Sequence, residues 1–202
     1  MDDLPAETAD RILAAFLELV AERGIESTTM RQLAEKAGVN EVTIFRHFGN
    51  KRTLARAAVG REQPAAVVAA YPLAIDVSSL EQAAAGLLQV LRFLRRTLKE
   101  HRALLQFGMG EYWRFPELTE EIGKAPLAAR DLVERALVQA APALRPEVDP
   151  GVSAIGFVGL VFVSVTWQAR GWLQWSDEEW DRALQAAIRP LIAEDGRPEM
   201  TG

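Results

Sequence analysis

At 202 residues, with 49% hydrophobic and 25% charged side chains and a net charge of −5, the chain suits a globular protein of one or two domains with a real core. It has no cysteine, which excludes a disulfide framework, thiolate metal sites and a thiol nucleophile, and it has only two histidines. The start is acidic (Asp2, Asp3, Glu7) and its first apolar segment is amphipathic, so no signal pattern appears and the expected compartment is the cytoplasm.

The first predicted helix, Thr8 to Arg23, places Ile12, Phe16, Leu19 and Val20 on one face with Leu13 and Leu17 beside them, and Gly24 ends it. Thr29 to Ala37 opens with a capping box, Thr29 with Gln32 three residues on, and closes at Gly38, which enters the left-handed region without steric cost. Asn40 can cap a second short helix, Glu41 to Phe48, and Asn50 a third from Lys51 to about Glu62, which Pro64 stops. Leu33, Ala34, Val39, Ile44, Phe48 and Leu54 recur at spacings that close these helices on one small core. Left outside on the second short helix are Glu41, Val42, Thr43, Phe45, Arg46 and His47. A short helix on a rigid core that presents such side chains fits a DNA major groove, the arrangement of a helix-turn-helix. Thr28 to Arg56 carries six basic residues (Arg31, Lys36, Arg46, Lys51, Arg52, Arg56) and two acids (Glu35, Glu41), a net +4, which leaves about −9 on the rest.

From Ala65 onward every segment reads helical. A capping box Ser79-Leu80-Glu81-Gln82 opens a long helix through Leu87, Leu88, Leu91, Leu94 and Leu98. Residues 101 to 114 form a further candidate, weakened by Gly108 and Gly110, and Pro116 with Glu117, Glu120 and Glu121 suits a short helix start. Leu127 to Ala141 is amphipathic and bounded by Pro126 and Pro142; the stretch Pro142 to Pro150 reads as a linker. The last pair is Val152 to Trp172 and Asp177 to Ile192, the latter opened by the capping box Ser176 to Glu179. Pro150 to Ala169 has no charged residue and is long enough for a bilayer, but Gly151, Gly156, Gly159, Ser153, Ser164, Thr166 and Gln168 make it a poor membrane helix. A helix apolar all round must be covered all round, either within its own core or by a second subunit.

The pieces Thr28-Thr29, Leu33-Ala34, Ala37-Gly38-Val39, Thr43-Ile44-Phe45, His47-Phe48 and Asn50-Lys51 make residues 8 to 56 resemble the tetracycline-repressor family of bacterial transcription regulators. The resemblance implies an all-α protein: a helix-turn-helix DNA-binding head (1–56, linking helix 51–62) and a helical effector-binding and dimerisation body (63–202). It implies a homodimer on a palindromic double-stranded DNA operator, a small-molecule effector, no cofactor and no membrane partner. Matching positions assign DNA contacts to Thr29, Arg31, Glu41, Val42, Thr43, Phe45, Arg46, His47 and Lys51, with Lys51 clamping a phosphate at a helix N-terminus. Two departures stand out: Phe45 where the family has tyrosine, and Glu41 facing a polyanion.

The expected dimer face is Gly156, Gly159, Phe162 and Val163 on the apolar helix with Trp180, Leu184 and Ile188 on the last one. Effector contacts are expected among Phe93, His101, Phe107, Met109, Trp113, Phe162, Trp167 and Arg170, which suit an apolar or aromatic molecule. The expected function is a repressor released by that effector; activation, co-repression, or a head that binds another partner are the alternatives. An enzyme is not expected, since neither a phosphate-cradling glycine motif nor a nucleophile elbow occurs.

Overall fold

The computed structural model describes residues 5–62, 64–105 and 119–193, and among these no strand occurs, only one isolated antiparallel bridge between Leu144 and Ile192. The helices are α1 (Ala6–Arg23), α2 (Met30–Ala37), α3 (Glu41–Phe48), α4 (Lys51–Arg61), α5 (Pro64–Ala69), α6 (Leu80–Glu100), α7 (Thr119–Ala140), α8 (Pro150–Ala169) and α9 (Asp177–Ile188). Residues 102–105 are also helical. The fold is all-α. The chain divides into two compact units, residues 1–63 with 101–124, and residues 64–100 with 125–202.

In the first unit, α1 packs on α2 and α4, and α3 is held between them by contacts with both. The core is Ile12, Phe16, Ile25, Leu33, Ile44 and Leu54, all at most 2% exposed. At about 1.5–3 kcal/mol for each large side chain taken out of water, these residues fix the angle at which α3 leaves the core. Leu104, which the sequence reading places in the body, is buried in this core, and Ile122 packs against it. The caps fall where predicted. Thr29 and Gln32 form both bonds of the capping box, Asn40 accepts from the Val42 N–H, and Asn50 accepts from the Thr53 N–H. Gly38 is left-handed at φ 66°, which turns α2 sharply into α3. Lys36 is tied to Glu18 on α1 at 2.9 Å, and Arg61 on α4 to Asp10 on α1.

In the second unit, α6 packs against α5, α8 and α9. Arg92 pairs with Asp181 through two bonds, and Arg95 reaches Asp177 at 2.7 Å while its guanidinium lies 4.6 Å over the Trp180 ring. The Trp180 indole N–H donates to Gln168, so α8, α9 and α6 meet at one fully buried aromatic.

Several boundaries depart from expectation. Pro64 does not only stop α4; it stands first in the six-residue α5, where its missing N–H costs nothing. Residues 71–77 are irregular, not helical. α7 runs through Pro126 instead of starting after it, so one helix replaces a break and two pieces. α8 begins at Pro150, capped by Asp149 accepting from the Val152 N–H, and ends at Ala169 ahead of Gly171 at φ 73°.

Candidate nucleic-acid interface

α3 presents the side chains that the sequence assigned to it. Ile44 turns inward and is fully buried, whereas Glu41, Val42, Phe45 and Arg46 are exposed and Thr43 and His47 half-buried. Val42 and Phe45 are 70% and 66% exposed, two large apolar side chains three residues apart on one short helix. Arg46 Nη2 lies 3.3 Å from His47 Nε2, a contact in which the guanidinium can only donate. Glu41 sits in the first turn of α3, where a carboxylate complements the helix dipole.

On α2, Thr29 is exposed and its oxygen accepts from the Gln32 N–H, which leaves the hydroxyl proton to donate outward. Arg31 Nε bonds Glu35 at 3.0 Å across one helical turn. A surface pair of that kind is worth about 0.3–0.5 kcal/mol, so it orients the guanidinium without withholding its remaining donors.

Lys51, expected at a phosphate, is also engaged within the head. Its ammonium donates to the Ile25 carbonyl at 3.1 Å and to the Glu26 carbonyl at 3.2 Å, which straps the α1–α2 loop to the start of α4. Two of its three protons therefore serve the head's own structure. Arg52 beside it is exposed on the first turn of α4 and keeps a cation at that helix N-terminus. Sequence reasoning also missed Thr28, which is buried and donates to the Gly24 carbonyl at 2.9 Å, closing the turn that delivers α2.

The dimer assignments separate into two groups. On α8, Val152, Ile155, Gly156, Gly159, Val163 and Trp167 are exposed and recur every three or four residues, and nothing lies near the Cβ position of either glycine. Phe162 borders this stripe half-buried. By length and composition α8 would also pass for a membrane span, with mean hydropathy 1.7. Its opposite side, Ala154, Phe157, Val161 and Val165, is nevertheless buried in the body. Trp180, Leu184 and Ile188, expected at the subunit face, are instead 0%, 0% and 2% exposed within the protomer. They are core, because the Arg92 and Arg95 ion pairs hold α9 with its apolar side against α6.

The effector assignments fare differently. Phe107, Met109 and Trp113 lie outside the described residues. Phe93 is half-buried against Tyr71 with ring centres 4.4 Å apart. His101 Nδ1 is hydrogen-bonded to Glu62, and that bond holds the Glu62 carboxyl below the usual carboxylate range. Trp167 and Arg170 are exposed. A groove of about 430 Å³ opens elsewhere, between α6 and α9, lined by Leu80, Ala84, Leu88, Ile188 and Ile192 with Glu81, Gln185 and Arg189 at its edge; none of the expected effector residues lines it. Among the described residues no cluster of three metal-ligating side chains occurs.

A recognition helix held at a fixed angle by a three-helix core, with side-chain caps at the starts of α2, α3 and α4, defines a helix-turn-helix protein. Residues 12–58 match the family described as bacterial regulatory proteins, tetR family. Among individual relatives, the chain is 48% identical over 50 residues to the HTH-type transcriptional regulator YvkB of Bacillus subtilis (strain 168). That match covers 25% of this chain and 26% of the relative. The fold extends further than the sequence match. The fatty acid degradation regulator FadR from Bacillus halodurans superposes with a TM-score of 0.66 at 17% identity, covering 93% of this chain and 96% of that one. NalD, the secondary repressor of the MexAB-OprM multidrug efflux pump in Pseudomonas aeruginosa, gives 0.64 at 22% identity, covering 92% and 96%. The tetR-family match thus lies in the helix-turn-helix segment, residues 12–58, and the chain spans about a quarter of the length of the first curated relatives it matches.

Proposed function

We propose that this protein is a cytoplasmic transcriptional repressor that binds a palindromic operator as a homodimer and is released from it by a small, largely apolar or aromatic effector. The observation that carries the proposal is α3: its inward residue Ile44 is fully buried while Val42, Phe45 and Arg46 project outward from a head whose motif segment is net basic. The uncovered apolar stripe of α8 supports the homodimer. A two-fold pair of stripes buries that surface, and the same two-fold axis repeats the recognition helix on both half-sites of a palindrome. Release by a ligand follows if the effector binds the body more tightly in a shape that spoils the spacing of the two heads.

A gel-shift titration against the DNA flanking the protein's own gene, at two salt concentrations, tests the proposal. A discrete shift that weakens steeply with salt and is competed by specific DNA is expected, because phosphate contacts release counterions. Binding that is salt-sensitive but equal for all sequences would overturn the operator reading.

A further inference from the structure

We propose that the recognition helix reads its operator through the C5-methyl groups of thymine, with Val42 and Phe45 as the reading side chains. This deepens the operator-binding reading and rests on it. Among the described residues of the first unit, Val42 and Phe45 are the exposed large apolar side chains; the comparable groups of that unit are buried or half-buried. Both lie on α3, three residues apart, which sets their Cβ atoms about 5–6 Å from each other on one face.

The polar groups of the same helix are partly committed. Asn40 Oδ1 is taken by the Val42 N–H at 2.8 Å, Thr43 is half-buried, and an Arg46 terminal nitrogen contacts His47. Phe45 has no hydroxyl for a phosphate or a base edge. An apolar side chain entering a major groove meets one strongly apolar feature there, the thymine methyl, since the other edge atoms are hydrogen-bond donors and acceptors. Base pairs stack about 3.4 Å apart along the axis, so the two side chains reach adjacent or next-but-one pairs. Arg46 beside them and Arg31 on α2 supply the positive charge that brings this apolar face to a polyanion.

The test uses a duplex recovered with the purified full chain from a random-sequence library, then remade with deoxyuridine in place of thymidine. Uracil keeps each hydrogen bond of the base and removes only the methyl. Each contacted methyl contributes about a fourfold change in Kd, so replacement at two contacted positions weakens binding about fifteenfold, with the salt slope unchanged. Uracil outside the α3 footprint leaves Kd unaltered. Val42→Ala and Phe45→Ala each shrink the thymine-to-uracil ratio; both positions are exposed, so the variants melt as the parent does. A specific duplex bound equally well with uracil throughout overturns the methyl reading alone, as does an unchanged ratio in both variants. Failure to recover any specific duplex overturns the operator reading and this inference together.

Discussion

Lys51→Ala separates two jobs that one side chain could do. The ammonium donates to two loop carbonyls at 3.1 and 3.2 Å, from a half-buried position. Hydrogen bonds from a charged donor reach about 1.5–3 kcal/mol when sealed from water, but here one bond is exposed and both carbonyls can be rehydrated. A net loss of about 1–2 kcal/mol remains, and for a chain of this length that lowers the melting temperature by about 2–8 °C. The assay is thermal unfolding followed by circular dichroism, run beside salt-dependent DNA titrations of the same variant. Arg46→Ala is the comparison: its guanidinium lies on the exposed face of α3, so its loss flattens the salt slope by about 0.9 per protomer if the contact is to phosphate, without lowering the melting temperature. If Lys51→Ala melted like the parent and flattened the slope instead, the strap between α4 and the α1–α2 loop would count for nothing, and the phosphate clamp would be its whole role.

Ile155→Glu puts a charge on the α8 stripe where the side chain is 63% exposed; sedimentation should show a monomer with unchanged helicity, and a variant that stays dimeric would remove α8 from the interface. Trp180→Ala opens a cavity under Arg95 and leaves the Gln168 side-chain oxygen without its donor; denaturant unfolding should register a loss of about 3–5 kcal/mol, and a value under 1 kcal/mol would contradict the packing. Glu62 is held below the usual carboxylate range by its hydrogen bond to His101, so its contribution is present above its unfolded-state value and lost as pH falls through the folded one. Glu62→Gln should therefore lower stability at neutral pH and flatten the acid limb, in urea titrations at several pH values; equal acid limbs in parent and variant would refute the coupling.

The head was legible because its signals are local. Thr29 with Gln32, Gly38, Asn40 and Asn50 each set an element boundary within four residues of themselves, and all four sit where the sequence placed them. Ser176 with Glu179 did the same for α9. Non-local outcomes were not legible. Lys51 looks like any basic residue at a helix start until Ile25 and Glu26, some 25 residues earlier in the chain, are found in reach of its ammonium. Pro126 reads as a boundary, yet α7 continues through it, which only packing on both sides of the proline can decide. Trp180, Leu184 and Ile188 mark an apolar face, but periodicity cannot say whether that face meets its own core or another subunit. One signal was present and overlooked: Asp149 before Pro150 is a cap followed by a first-turn proline, and it dates the start of α8 two residues earlier.

The environment of Trp180 has an optical consequence. Its indole is shielded from water, capped by a guanidinium and hydrogen-bonded to an amide, and the Trp175 ring stands edge-on to it at 5.3 Å. Trp167 and Trp172, in contrast, are 48% and 71% exposed. Of the four indoles in the second unit, Trp180 is closed to a dissolved quencher such as iodide, Trp175 is half-buried against it, and Trp167 and Trp172 stand open to it. Trp167 lies on the α8 stripe, so anything that covers the stripe shelters it, while loss of the α6–α9 ion pairs uncovers Trp180. A single fluorescence titration can follow assembly and unfolding as separate events, with no label added.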